Sequence, residues 1–375
     1  MPRFGWRVTY DNTTVLTDVQ NISITRGRRE IQDKFSAGRA TISGRNLSSL
    51  PTIDIGGQIA IEMSYGSPTA YAVAFLGQVA DVKITYGFVT SEDLWQIEVE
   101  DFLGRLGRAY TTSSFSWSAG INTLQAAQQT AMNATGSTVN ISGFGGYTAS
   151  SLVSAQSLPN TNALDVINTL AATEQAVLYS NFATSPSGLG DAITFVPRKA
   201  LGALNILAEL TDGTDGGAAV VKTSFDQVVF RSLADSFYNC VVVQPQGLAA
   251  QESGVGPRTY TMSSYDQTTT QALNLAQYVK QTFDVQSQVP STVSVLSVNQ
   301  TNDQMAQVVN IDNSFGQIEL FLRGVAYRLF VLGVTITATP EQARFTLNVA
   351  SSEALQFFIL NSTVFGVLDT SKLGF

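Results

Sequence analysis

Two short stretches near opposite ends of the chain alternate apolar and polar residues in the same way. "WQIEVE" (Trp95 to Glu100) puts Trp95, Ile97 and Val99 on one side, and "FTLNVA" (Phe345 to Ala350) does the same with Phe345, Leu347 and Val349. Successive side chains of a β-strand point to opposite faces, so a period of two marks half-buried strands of a sheet or barrel. Each stretch follows an apolar strand with an early glycine and then a loop with an acidic residue. "FLGQVADVKI" (Phe75 to Ile84) precedes the first and "FVLGVTITA" (Phe330 to Ala338) the second. The repetition predicts two similar β-domains, one at each end. "GQIAIEMS" extends the pattern, with Ile59, Ile61 and Met63 on one face.

The texture changes near residue 110. Ile121, Leu124, Ala127 and Ala131 share a helical stripe, with Gly136 as a stop signal. A second helix is expected from about Asn162 to Gln175, then a hairpin from "AVLYSNF" to "AITFVPR". This middle region reads as small α+β. Strands return from about Ser224. A third helix is expected over 269–284, with Ala272, Ala276, Val279 and Phe283 at helical spacing. The last ninety residues read as strands again, including "QIELFLR" and "ARFTLNV".

Absences exclude whole classes of chemistry. The 375 residues include no histidine and one cysteine, Cys240. An internal disulfide, a Cys/His zinc site and a Ser-His or Cys-His nucleophile pair are therefore ruled out. Cys240 lies in the apolar run "YNCVVVQ" and reads as a buried structural thiol. No phosphate-binding loop or dinucleotide fingerprint is present, so no cofactor is expected. "DGTDGG" (Asp212 to Gly217) lacks the further acidic ligands of a calcium loop and reads as a turn. Glu174, at the end of an apolar helix, reads as a satisfied structural carboxylate. A glycosidase needs only two carboxylates, and no pair is singled out. "MPRFGWRVTY" has no apolar core of a signal peptide, so Sec-type export is not expected. No apolar run approaches the roughly 18 residues of a membrane span.

Charge is unevenly placed. The chain carries 21 basic and 29 acidic residues, yet the 23 residues "ITRGRREIQDKFSAGRATISGRN" (Ile24 to Asn46) hold Arg26, Arg28, Arg29, Lys34, Arg39 and Arg45. The run has three readings: a solvated face, a nucleic-acid surface, or a protein interface. The second lacks aromatic interleaving and sits in a chain of net charge -8. The third suits planar guanidinium groups, which bind carboxylates and backbone carbonyls. Charged residues make up only 13% of the chain, against about a quarter in ordinary domains. A surface of hydroxyls and amides suits a chain that buries much of itself against partners.

Taken in order, these segments resemble one family. "ISITRGRREIQDKFSAGRATISGRN" (Ile22 to Asn46) resembles the start of minor tail proteins of long-tailed bacteriophages. In that family a basic R-G-R stretch is followed by an aromatic residue, an A-G pair and a strand ending in Asn. "FLGQVADVKITY" is similar to their next strand, and "ALDVINTLAATEQAVLYSNF" with "ITFVPR" to their middle helix and hairpin. The stretch from Leu329 to Phe375, with its "ILNS", "GVLD" and final "LGF", resembles their C-terminus.

The resemblance implies a tail hub protein, similar to the baseplate hub of contractile-tailed phages. Such proteins form a homotrimeric ring. Each subunit gives two β-barrels, so six barrels join a sixfold tail to a threefold tip. The implied fold class is mainly β with an α+β insertion: two β-barrel hub domains flanking a small α+β middle domain. The expected boundaries are 1–110, 111–223 and 224–375, the last with one helix at about 269–284. The implied partners are two further copies, the distal tail protein ring, the tape-measure protein and other tail-tip or receptor-binding proteins. The implied place is the tail tip of a virion, around the channel for tape-measure protein and DNA. Neither enzymatic activity nor specific nucleic-acid binding is expected. Arg26, Arg28, Arg29 and Arg39 are expected to line a seam between barrels or subunits. The alternative is a carbohydrate-binding or carbohydrate-cleaving β-protein of the tail tip, which would show exposed aromatics on one face.

Overall fold

Alternating residues of the N-terminal region form β1 (Phe4–Tyr10), β2 (Thr14–Val15), β3 (Val19–Gly27), β4 (Arg39–Arg45), β5 (Gln58–Tyr65), β6 (Tyr71–Thr85) and β7 (Leu94–Glu100). The middle region holds α1 (Phe102–Arg108), β8 (Ser116–Trp117), α2 (Thr123–Thr135), β9 (Asn140–Gly143), β10 (Gln156–Ser157), α3 (Ala163–Glu174), β11 (Val177–Ser185), β12 (Gly188–Val196) and α4 (Arg198–Leu201). Then come β13 (Ile206–Thr211), β14 (Thr223–Ser224), β15 (Gln227–Arg231), β16 (Cys240–Pro245), β17 (Gln251–Gly254), β18 (Thr259–Ser264) and α5 (Thr269–Asp284). The chain continues through β19 (Val289–Leu296), α6 (Asn302–Ser314), β20 (Gln317–Leu322), β21 (Val325–Ala338) and β22 (Ala343–Ser351).

This computed structural model describes residues 4–30, 33–47, 50–65, 71–89, 92–136, 140–143, 151–185, 188–201, 206–213, 221–231, 238–284, 289–314 and 316–351. The "ILNS", "GVLD" and "LGF" signatures, most of the Gly/Ser-rich stretch after α2 and the last four residues of "DGTDGG" lie outside the described residues.

Among the described residues, fourteen strands join in one mainly antiparallel sheet, and the same order of neighbours occurs twice in it. The N-terminal half runs β3-β4-β7-β6-β5-β1, and the C-terminal half runs β15-β19-β22-β21-β20-β13. The registers agree as well. Val79 faces Val99 as Val331 faces Val349, and a one-residue bulge follows in each long strand. Beyond it, Val82 faces Ile97 as Val334 faces Leu347, and Ile84 faces Trp95 as Ile336 faces Phe345. The correspondence of Trp95, Ile97 and Val99 with Phe345, Leu347 and Val349 is thus the one the ladders make.

Helices α1 and α6 lie where the sequence reads as strand, so the C-terminal region holds more than its one expected helix. Three details of the sheet differ from expectation as well. The early glycines are not equivalent: Gly77 faces Ile59 in β5, whereas Gly333 lies past the bulge, where the N-terminal half has Asp81. The last pairs of the two halves also differ, since β1 is antiparallel to β5 but β13 is parallel to β20. And among the described residues the ladders do not close into two barrels. They form one open, branched path in which β3 of the first half pairs with β21 of the second.

One apolar core serves both halves, with Ile42, Phe75, Trp95 and Ile97 in the same cluster as Val293, Val334, Phe345 and Leu347. Helix α6 packs Met305, Val308 and Ile311 into it. A second cluster gathers α1, α2, α3 and the β11–β12 hairpin, together with Phe35 from the basic run and Phe330 from β21. The third belongs to a separate three-stranded sheet, β17-β16-β18, covered by α5. Cys240 is buried on that sheet as a free thiol, so "YNCVVVQP" is not a strand of the large one.

The anticipated helices have clear local causes. Asn122 and Gln125 make a reciprocal capping box at the start of α2, and Gly136 ends it in the left-handed region at φ 65°. Asn162 caps α3 by accepting from the Asp165 amide. No helix among the described residues is long and apolar enough to cross a membrane.

Candidate functional site: the seam between the half-sheets

The basic run leaves β3 where the two half-sheets meet. Residues Ile22 to Gly27 of β3 pair antiparallel with Gly333 to Ala338 of β21, Gly27 opposite Gly333 and Arg26 opposite Val334. The backbones cross closely here. Gly27 has φ +81°, and a Cβ on it would sit 2.7 Å from Gly333 Cα. A Cβ on Gly333 would sit 2.6 Å from the Arg28 carbonyl oxygen. Only glycine tolerates both demands. The Arg28 amide completes the crossing by donating to the Leu332 carbonyl at 2.9 Å.

The four arginines singled out by the sequence then diverge. Arg26 continues the inward face of Ile22 and Ile24, and its guanidinium lies 5.9 Å from the Phe75 ring centre. Its charge also acts on Asp101, a buried carboxylate. Arg28 lies over Phe35 at 4.4 Å. Burial lowers its pKa to about 10, opposed by Tyr260, Asp33 and Tyr278, so it remains a cation at neutral pH. Arg39 lies in register with Glu100 on β7 and forms an ion pair with it at 3.3 Å. Arg108 of α1 holds the other oxygen of the same carboxylate. Glu100, the partner of Arg39, thus belongs to the N-terminal side of the seam. Arg29 is exposed.

The rest of the run straps the seam to the middle region. Asn168 of α3 clamps the Phe35 backbone, accepting its amide at 3.0 Å and donating to its carbonyl at 3.1 Å. Lys34 forms an exposed ion pair with Asp165 of α3 at 3.2 Å. Glu30 reaches Arg231 at the end of β15, 2.6 Å away. The segment from Arg26 to Arg39 therefore touches both half-sheets and the helical region.

Asp101 was not legible in the sequence as a site residue. It caps α1 by accepting from the Gly104 amide at 3.1 Å, while its own amide donates to the Gly38 carbonyl at 2.9 Å. Burial raises its pKa to about 7, against the opposing effects of the Gly104 amide and the Arg26 charge. Asp266, also buried, is raised to about 6, chiefly by burial and further by the Glu174 charge. Glu174 is a satisfied carboxylate, accepting from the Ser151 amide at 2.8 Å and from Thr123 Oγ1 at 3.3 Å.

Among the described residues, no group of three or more His, Cys, Asp or Glu could hold a metal ion. In "DGTDGG", Asp212 accepts from the Arg323 amide at 2.7 Å, tying the end of β13 to the connection between β20 and β21. A polar hollow of about 370 Å³ on the N-terminal half is lined by residues including Asn21, Ser43, Arg45, Lys83, Thr85 and Gln96. Its lining contains no carboxylate and so no acid–base pair for glycoside cleavage.

No protein-family model matches the chain, and no curated protein matches it. Solved structures do. The 43 kDa tail protein of prophage MuSo2 from Shewanella oneidensis superposes with a TM-score of 0.62 at 11% identity, over 94% of this chain and 99% of that one. A tail protein from Neisseria meningitidis MC58 gives 0.59 at 11% identity, over 92% and 96%. The E. coli c3393 protein gives 0.51 at 9% identity, over 92% and 76%; it is a type VI secretion component with structural similarity to the T4 phage tail proteins gp27 and gp5. At these identities the likeness speaks for the fold: a mainly β chain whose two matching half-sheets are stitched by a basic, glycine-marked crossing has the fold of phage tail proteins.

Proposed function

We propose that this protein is a structural subunit of a phage tail, a hub at the distal end in which three copies surround a central channel. The observation that carries the reading is the repeated half-sheet. One chain holds the same order of six strands twice, joined edge to edge. Three such chains would place six similar half-sheets around an axis, each curling towards a barrel. That arrangement would let a threefold tip meet a sixfold tail. Shared fold with tail proteins of two prophages or bacteria supports the tail assignment. The division at about residues 110 and 223 into hub, middle and hub regions is part of the same proposal.

The chemistry of the chain fits a scaffold better than an enzyme. It has no histidine and few charges. Obligate interfaces bury more than roughly 2,000 Å² and are comparatively apolar, which suits such a surface. A net charge of -8 suits a channel that lets DNA pass, since duplex binding needs neutralised phosphates. In this reading Arg26 and Arg28 serve the seam and not the lumen. The distal tail ring, the tape-measure protein and the receptor-binding proteins are its partners. Antibody labelling of intact phage particles tests the assignment. Label confined to the tail tip is expected; label along the tail tube or on the capsid contradicts it.

A further inference from the structure

The two half-sheets are alike, but their free edges are not. In the C-terminal half, the segment of β21 past its bulge is covered by β3. The matching segment of β6, from Asp81 to Thr85, pairs with β7 on one side and, among the described residues, with no strand on the other. Likewise β3 pairs on both sides, whereas its counterpart β15 pairs among the described residues only with β19.

Exposure follows this difference at the inward-facing positions. Ile336, under β3, is 0% exposed, and its counterpart Ile84 is 40% exposed. Ala338 is 2% exposed, and its counterpart Tyr86 is 74% exposed. On the donor side Ile24 is 0% exposed, and its counterpart Phe230 is 41% exposed. The bulge between β15 and β19 adds its extra residue to β19, so β15 stays in step with β3. An open strand edge bearing apolar side chains is a template for another chain.

We propose that β15 of one copy pairs antiparallel with the open edge of β6 in a second copy, repeating between chains the contact that β3 makes with β21 within one. The internal register carries over directly: Ile336 opposite Ile24 becomes Ile84 opposite Phe230, and Thr337 opposite Ser23 becomes Thr85 opposite Val229. Ala338 opposite Ile22 becomes Tyr86 opposite Val228. Lys83 then faces Arg231, whose guanidinium Glu30 already holds at 2.6 Å. Each copy has one donor edge and one acceptor edge, so the contact is head-to-tail. Such contacts make rings when the rotation closes. This inference rests on the ring reading above and names the strands that close it.

Cysteines at Thr85 and Val229 test it, because both side chains are exposed and leave the core intact. On mild oxidation, the double variant T85C/V229C should give covalent trimers that revert on reduction. Neither single variant should do so. Tyr86→Lys, placed at the apolar edge, should weaken self-association by roughly tenfold or more while leaving the circular dichroism spectrum unchanged. A trimer by light scattering with no cross-link at this pair, or at K83C/R231C, overturns the strand assignment and leaves the ring standing. A cross-link formed only within one chain overturns it too. A monomer at micromolar concentration, alone and with the distal tail ring, overturns both.

Discussion

Gly27 and Gly333 face each other across the seam, and neither has room for a side chain. The crossing of β3 over β21 depends on that bare contact, and with it the joining of the two half-sheets. Gly333→Ala forces its new methyl against the Arg26 and Arg28 carbonyls, 2.7 and 2.6 Å from the Cβ position. The expected cost is about 1–3 kcal/mol, as for other overpacked sites. Gly27→Ala adds the strain of a left-handed backbone at φ +81°. Denaturant melts of both variants check this, and unchanged midpoints would show that the seam gives way freely.

Two arginines of one run should differ in weight. Arg28 is desolvated over Phe35, and Arg28→Ala should cost about 2 kcal/mol. Arg39 is largely exposed beside Glu100, and Arg39→Ala should cost about 0–1 kcal/mol. Stability measurements on the two variants decide it; equal losses contradict the placement.

Stability should fall as the solution becomes less acidic. Asp101 and Asp266 are held up to about 7 and about 6, against 3.8 for an ordinary aspartate. Between those values the folded chain binds more protons than the unfolded one. Stability is therefore lost with rising pH, and the loss is complete above the folded pKa values. The thermal midpoint should be higher near about pH 5 than near about pH 7.5. Asp101→Asn keeps an acceptor for the α1 cap and should remove much of the slope. A midpoint that rises over the same interval contradicts the burial of these carboxyls.

The shared core predicts one cooperative transition for both ends. Ile97→Ala in the N-terminal half and Leu347→Ala in the C-terminal half each open a cavity in the same cluster. Each should cost about 2–5 kcal/mol and shift a single unfolding step. Two separate transitions, each sensitive to one variant, would show that the halves fold alone.

The repeated strands were legible because alternation survives wherever one sheet face is buried. Trp95, Ile97 and Val99 could be matched to Phe345, Leu347 and Val349 without coordinates. The glycines misled because Gly77 and Gly333 answer different close contacts, the Glu100 carbonyl and the β3 crossing. Helix α1 was missed because Gly104 and Gly107 weaken its propensity; the Asp101 cap and burial of Phe102, Leu103 and Leu106 hold it. Helix α6 was missed because its Asn, Asp and Gln residues mask a stripe of Met305, Val308 and Ile311. The basic run could be flagged from composition alone. That Arg39 pairs across β4 and β7 while Arg28 reaches towards Tyr260 and Tyr278 depends on long-range packing, which spacing does not encode.

The central claim, three chains presenting six similar half-sheets around a channel, is tested most directly by the mass of the purified protein in solution together with projection images of the same sample. The account predicts the mass of three chains and an end-on ring with threefold symmetry, six similar lobes and a central hole. A stable monomer, alone and with the distal tail ring, or a compact dimer with no hole, would contradict it.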